Sequence, residues 1–333
     1  MDRARIDEVF TPAAVEALKA FPIEPEGLEL VALSENVTFR VKDRRDGGDY
    51  VLRLHRPGYH TLEELNSERV WTRALADAGI AVPIALPTRG GEDYVSVPVP
   101  ALGQQRQAGM TRWIEGEVLA DVLERGADPE AHVRCFEQLG AIEAAMHNQS
   151  SGWRPPPGFA RHAVDRDGLM GDAPFWGPFW EHPVFTPAER TLVIETRDRL
   201  RGAMDRYGRD PSTFGMIHAD LHDGNLLVGG EQLTVIDFDD CAFGWHVYDM
   251  AVALWHQRQS PRFEAIQAAF VRGYRTRRDL GDDAVALIPM FLLVRGLAVT
   301  GWLHQRPEID VSRTIRASAD RLLAQCEAFE VPC

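Results

Sequence analysis

The sequence predicts an α+β chain of two lobes, a small antiparallel-sheet lobe followed by a larger, mainly helical one. Three observations predict it. Residues 28–114 hold five short segments rich in Val, Leu, Phe and Tyr, with one helical stretch among them. From residue 118 onward the apolar spacing is that of helices. A single strand–loop–strand unit at 214–240 interrupts that helical regime.

The elements follow in order. Thr11 suits the cap of a first helix, Pro12 its first position, and Val15 and Leu18 its apolar side. Strands are expected at 28–33, 37–41 and 50–54, the last two joined through the turn signal Asp46-Gly47-Gly48. Residues 61–78 read as a helix with Leu62, Leu65, Val70, Leu75 and Ala78 as apolar positions, and Gly79 ends it. Two more strands, 94–99 and 110–114, complete the sheet. A hinge near 110–117 sets the boundary, giving an N-terminal lobe over 1–114 and a C-terminal lobe over 115–333 that carries the 214–240 hairpin.

In the second lobe, 131–147 has Val133, Phe136, Leu139, Ile142, Ala145 and Met146 at helical spacing. Residues 151–187 are proline-rich loop with the aromatic cluster Phe175, Trp176, Phe179 and Trp180, and a helix spans 187–207. The apolar run 288–303 is too short to span a membrane and holds Arg295 in its middle.

Composition excludes several classes. A chain of 333 residues, 45% hydrophobic, can bury the core of one large or two modest domains. The N-terminal MDRARIDEVF lacks the apolar core of a signal peptide, so a soluble, cytoplasmic protein with no membrane partner is expected. A net charge of −14 argues against a nucleic-acid partner. Lys19 and Lys42 are the only lysines, so the remaining permanent cations are arginines. Cys135, Cys241, Cys326 and Cys333 lie far apart and read as reduced thiols without metal spacing. His147, His246 and His256 show no ligand spacing either, so zinc is not expected.

The chemistry concentrates in Ile217-His218-Ala219-Asp220-Leu221-His222-Asp223-Gly224-Asn225-Leu226-Leu227-Val228, followed by Leu233-Thr234-Val235-Ile236-Asp237-Phe238-Asp239-Asp240. This is a hairpin with Asp220 before its first strand and Asp237 directly after its second. Phosphoryl transfer needs one carboxylate to orient and deprotonate the attacking hydroxyl, and hard oxygen ligands to hold Mg²⁺ against nucleotide phosphates. Asp220, Asn225 and Asp237 are the residue types for those tasks. Alone, an Asp-x-x-x-x-Asn is an ordinary polar turn; between two apolar strands, with an acid at the next strand end, it points to a site.

His-x-Asp-x-x-x-x-Asn followed by Ile-Asp-Phe resembles the aminoglycoside phosphotransferase and choline kinase superfamily, relatives of the protein kinases. Further segments share the resemblance in the same order. These are Ser34-Glu35-Asn36-Val37-Thr38-Phe39, Tyr50-Val51-Leu52-Arg53, Glu68 in its helix, Trp113-Ile114-Glu115-Gly116, Leu139-Gly140-Ala141-Ile142 and Tyr248-Asp249-Met250. They cover about residues 28–303. Within the superfamily, Ser-Glu-Asn paired with Arg56-Pro57, and the double acid Asp239-Asp240, resemble the bacterial stress response kinase A type.

The resemblance implies a two-lobed, protein-kinase-like fold and ATP and Mg²⁺ as cofactors. It implies that Asp220 is the catalytic base, that Asn225 and Asp237 are metal ligands, and that Met110 and Trp113 at the hinge meet the adenine. Arg53, standing where the family has lysine, would contact phosphates and pair with Glu68. Ser34 would touch phosphate in place of a Gly-rich loop, and His218 would brace the catalytic loop. Asp249 reads as structural. Asp239 and Asp240 read either as near-metal residues or as solvated ones, and His222 and Asp223 either as substrate neighbours or as loop polarity. The Phe175–Trp180 aromatics read as packing rather than as acceptor contacts.

The expected activity is transfer of the γ-phosphate to a hydroxyl of a small, amine-bearing molecule, by a monomer or homodimer. A stress-response-type protein Ser/Thr kinase and a nucleotide-binding pseudokinase stand as alternatives.

Overall fold

The computed structural model describes residues 3–33, 36–126, 128–230, 232–309 and 311–331. Ser34, expected at the phosphates, lies outside them. The chain forms two compact units. One combines Met1–Glu117, Pro155–Arg161 and Leu227–Asp239; the other combines Val118–Arg154, His162–Leu226 and Asp240–Cys333.

The first unit opens with α1 (Arg3–Leu18), β1 (Pro25–Leu33), β2 (Val37–Asp43) and β3 (Asp49–Leu54). Then come α2 (Leu62–Asp77), β4 (Ala85–Leu86), β5 (Tyr94–Val99) and β6 (Gln104–Arg112). The antiparallel sheet has the order β1-β2-β3-β6-β4, with β5 also on β6. One sheet face is apolar because side chains alternate: Phe39, Leu52, Leu54, Val97 and Met110 pack in one core with Val9, Phe10, Ala14 and Ala17 of α1.

That packing explains a difference from the sequence reading, which began the first helix at Pro12. The helix starts two turns earlier and runs through Pro12. An interior proline costs about 3 kcal/mol, but Ile6, Val9 and Phe10 before it are buried in the same core as Ala13, Ala14 and Ala17 after it. Burial outweighs the lost hydrogen bond. By contrast, α2 begins and ends as expected. Thr61 and Glu64 form a reciprocal capping box, and Gly79 takes the left-handed φ of 81° that follows the helix.

After β7 (Glu117–Val118), the second unit takes up α3 (Leu119–Glu124), α4 (Pro129–Gly152), β8 (Ala163–Val164), α5 (Arg166–Met170), α6 (Pro187–Tyr207) and β9 (Phe214–Ile217). β10 (Leu226–Gly229) and β11 (Gln232–Val235) pair as a hairpin that, from Leu227 on, belongs to the first unit. Beyond it come β12 (Ala242–Trp245), α7 (His246–Leu254), α8 (Phe263–Arg275), α9 (Asp282–Ala286), α10 (Ile288–His304) and α11 (Ile315–Ala328). β12 lies between β9 and β8, antiparallel to the first and parallel to the second. α10 is buried along nearly its whole length. Among the described residues no helix is long and apolar enough to cross a membrane.

Candidate active site

In the second unit, β9 delivers the chain into the 218–225 loop, and α7 holds the loop from within. Asp249 of α7 is fully buried and accepts two backbone N–H groups, that of His218 at 3.0 Å on Oδ2 and that of Ala219 at 2.7 Å on Oδ1. The turn it clamps is strained: Ala219 has φ 65°. A side chain in this left-handed region costs about 1–2 kcal/mol per residue, so surrounding bonds must hold it there. His218 is buried too, and its Nδ1 accepts the Asp220 N–H at 3.3 Å, which leaves the ring proton on Nε2.

Behind Asp249 lies a buried chain of polar groups. His147 of α4 reaches Asp249 through Nε2 at 3.2 Å and the Tyr274 hydroxyl of α8 through Nδ1 at 2.8 Å. Burial holds His147 well below the ordinary histidine range, so the neutral ring donates at Nε2 and accepts at Nδ1. Burial also raises Asp249, to about 6, against the pull of His218 and the two N–H donors. The sequence reading of His218 and Asp249 as supports of the loop agrees with this geometry.

Asp220 is held at both oxygens. Asn225 Nδ2 donates to Oδ2 at 3.1 Å and to the Asp220 main-chain oxygen at 2.9 Å. Arg295 of α10 forms an ion pair with Oδ1. His222 Nε2 stands 3.5 Å from Oδ2. Burial pushes the Asp220 carboxyl up, but Arg295 and His222 override it and hold the group below the usual carboxylate range. Asp223 turns elsewhere, to His256 and to Gln257 Nε2.

Arg295 is the residue the sequence reading passed over. A cation inside an apolar helix needs a partner, and that signal was present. The aromatic run packs as expected: Trp176 and Phe179 are buried, Phe175 stacks on His162, and Trp176 lies 5.7 Å from the Arg295 guanidinium.

In the first unit, Asp237 follows β11 and is itself left-handed, with φ 63°. Ala219 and Asp237 are the non-glycine residues with positive φ among those described. Arg53 Nη1 donates to Asp237 Oδ1 at 2.7 Å. This corrects the expected Arg53–Glu68 pair. Glu68 lines the same cavity of about 50 Å³ as Arg53 and Asp237, yet its nearest cation is Arg69 at 3.8 Å. Glu68 raises the Arg53 pKa by charge alone, after Asp237 and Asp239.

Asp239 is buried rather than solvated: it accepts from Asn36 Nδ2 at 3.0 Å, lies 3.4 Å from His55, and its main-chain oxygen binds Arg161. Burial raises its carboxyl, but His55 and Arg53 hold it well below the usual range.

The two hinge residues separate. Met110 pairs with Leu52 across the sheet and is buried in the α1 core. Gly109 and Thr111, one step either way, line the Arg53 cavity. The two-residue period of a strand decides this. Trp113 has the parity of Thr111; its backbone N–H binds Asp49 O at 2.9 Å and its ring carries Arg40 at 4.4 Å.

A small antiparallel sheet presenting a cation on its third strand, a helical unit with a clamped Asp–Asn loop, and a following strand that ends on a strained Asp define a protein-kinase-like phosphotransferase. Residues 28–285 match the phosphotransferase enzyme family (APH), and the chain belongs to it. It is 24% identical over 305 residues to the amicoumacin kinase of Bacillus subtilis, covering 87% of this chain and 83% of that protein.

Among solved structures it superposes on a microcompartment-associated aminopropanol kinase with a TM-score of 0.79, at 32% identity over 95% of this chain and 94% of that one. The amicoumacin kinase hAmiN, in complex with AMP-PNP, Ca²⁺ and Ami, shares the fold with a TM-score of 0.78, at 23% identity over 98% and 95% of the two chains. The chain is accordingly a phosphotransferase.

Proposed function

We propose that this protein transfers the γ-phosphate of ATP, with Mg²⁺, to the hydroxyl of a small amine-bearing alcohol, with Asp220 as the base. One observation carries the reading: among the described residues, the two non-glycine residues with left-handed backbone fall at Ala219, directly before Asp220, and at Asp237. Strain of this kind persists where the surrounding structure over-determines it, and it concentrates at functional positions.

The donor set fits a hard divalent cation. Asn225 spends its Nδ2 protons on Asp220, which leaves its amide oxygen to coordinate. Asp237 engages Arg53 through Oδ1, and its side chain is 38% exposed. Each is an oxygen of the kind Mg²⁺ takes, since the ion binds through few protein ligands plus phosphates and water. With the nucleotide, the ion would neutralise phosphate charge.

This chain's residues do the rest. Asp220, ionised and fixed, orients the acceptor hydroxyl and takes its proton as the oxygen–phosphorus bond forms. The bond from the γ-phosphorus to its bridging oxygen breaks, and ADP leaves with that electron pair. Arg53 supplies a fixed positive charge for the phosphates. No covalent enzyme intermediate is needed, so the acceleration comes from positioning and charge.

The amine in the acceptor is favoured by the aminopropanol kinase likeness at 32% identity and by the net charge of −14, which attracts cations. The test is ATP consumption over three panels: amino alcohols, hydroxy acids lacking an amine, and protein Ser/Thr substrates. Turnover concentrated in the first supports the reading, and turnover confined to either other panel overturns it. Asp220→Ala must abolish transfer while an ATP·Mg²⁺ thermal shift persists.

A further inference from the structure

Resting on the reading of Asp220 as the hydroxyl-orienting group, we propose that Arg295 is the positioning residue that sets the direction of its carboxylate. Arg295 sits midway along α10, in IPMFLLVRGLAVTGWLH, a helix with no acid of its own. Its side chain is only 10% exposed. Burying a guanidinium costs several kcal/mol unless geometry and partners repay it.

The partners come from three other segments. Asp220 of the catalytic loop meets the guanidinium at one end. The Trp176 ring of the aromatic loop lies 5.7 Å from its carbon. The buried Tyr248 phenol of α7 raises its pKa together with Asp220, overcoming the effect of burial, although among the described residues neither the phenol oxygen nor Arg295 Nε has a hydrogen-bond partner. The guanidinium is thus confined before it reaches the carboxylate.

The carboxylate itself is then fixed from two directions. Asn225 holds Oδ2 at 3.1 Å, and Arg295 holds Oδ1. Two donors from two elements, on two different oxygens, define the plane of the group and so the lone pair left for an acceptor. One donor would leave it free to rotate about the bond to Cβ. A bridge needed only for stability has no requirement for this bidentate arrangement, since an apolar side chain of similar volume often serves a buried site as well.

The test is steady-state kinetics of Arg295→Ala and Arg295→Lys on the full chain, with ATP and the best acceptor from the panels above. Misplacing a reacting group by about 1 Å costs roughly 10²-fold. The expected result for Arg295→Ala is a kcat lowered by that order, a KM for ATP within about twofold of wild type, and partial recovery on adding ethylguanidinium. Arg295→Lys should fall between, because an ammonium keeps the charge but not the planar fork.

An ATP thermal shift like that of wild type shows that each variant is folded. Arg295→Lys carries the test alone if the alanine variant does not fold. Wild-type kcat in either folded variant overturns the proposal, and so does a loss in Arg295→Ala that ethylguanidinium leaves untouched. Asp220→Asn separates the two readings. If it keeps wild-type turnover, the base assignment has failed; if it is inactive while Arg295→Ala is not impaired, only the positioning role has failed.

Discussion

Arg53 Nη1 donates to Asp237 Oδ1 across 2.7 Å, so the third strand of the sheet grips the acid that follows β11. The guanidinium is largely buried, and Asp237, Asp239 and Glu68 together keep it charged against the cost of burial. A charge fixed this way meets an anion without reorganising, which is the role proposed for it at the phosphates. Arg53→Ala is expected to weaken ATP·Mg²⁺ binding by about 10- to 100-fold, the worth of a charge-assisted hydrogen bond. Arg53→Lys should recover part of it. A thermal-shift titration reads both, and an unchanged midpoint for the alanine variant would remove Arg53 from nucleotide binding.

Asp237 has two separable properties, its charge and its left-handed backbone at φ 63°. Asparagine tolerates that backbone well and alanine does not. Asp237→Asn should therefore fold with near wild-type stability while its Mg²⁺ requirement rises at least about tenfold, through loss of an anionic ligand. Asp237→Ala should show the same metal defect plus a loss of about 1 kcal/mol in stability. Melting temperature and the Mg²⁺ dependence of turnover measure the two effects independently. Equal melting temperatures for the two variants would show that the backbone here is unstrained.

Asp249 predicts a pH dependence with a definite sign. Its folded pKa, about 6, stands above the ordinary 3.8 because it is buried. Between those values the folded protein keeps a proton that the unfolded chain has released. The contribution to stability is thus fully present below about pH 4 and is lost as pH rises to 6. The loss is on the order of 3 kcal/mol for a shift of about two pKa units. Glu143, His147 and His218 face the same group, and His147 pulls the other way, since burial holds it neutral. Asp249→Asn does not titrate at this position, so the quantity to measure is wild type minus variant. That difference should fall between pH 4 and 6 and be flat above; a constant difference contradicts the assignment.

Much of this was legible in the sequence, for reasons that differ by residue. The strands were readable because β-branched and aromatic residues cluster between turn signals such as Asp46-Gly47-Gly48, and α2 because Thr61 and Gly79 mark its ends. The Asp220–Asn225 contact was implied by local spacing alone. What was not legible depended on long-range packing. Pro12 masked the true start of α1, since only the sheet beneath shows that Ile6 and Phe10 share its core. Met110 and Thr111 differ by one step, and a hinge motif does not give parity. Arg53 had several acids to choose from, and the choice of Asp237 joins positions 184 residues apart. The partner of Arg295 was hidden for the same reason, although its need for one was visible.

The crossing of α4 and α8 offers a test of how the helical unit supports the loop. Gly140 of α4 and Gly273 of α8 let the two backbones touch. A Cβ on Gly140 would stand 2.0 Å from the Phe270 carbonyl oxygen, and one on Gly273 would stand 1.8 Å from that of Glu137. Both obstacles are main chain, so no rotamer relieves them and the helices must part. The same helices carry His147 and Tyr274, whose 2.8 Å bond backs Asp249. Gly273→Ala is therefore expected to destabilise by at least about 1–3 kcal/mol and to lower turnover by loosening the turn before Asp220.

Gly202 of α6 is the control, because its added Cβ meets only the far end of Arg206 at 3.7 Å. There alanine should stabilise by up to about 1 kcal/mol, its advantage over glycine inside a helix. Opposite shifts in melting temperature for the same chemical change would locate the effect in the crossing. If Gly273→Ala melts with Gly202→Ala and keeps full turnover, close approach of α4 and α8 is not what holds the catalytic loop.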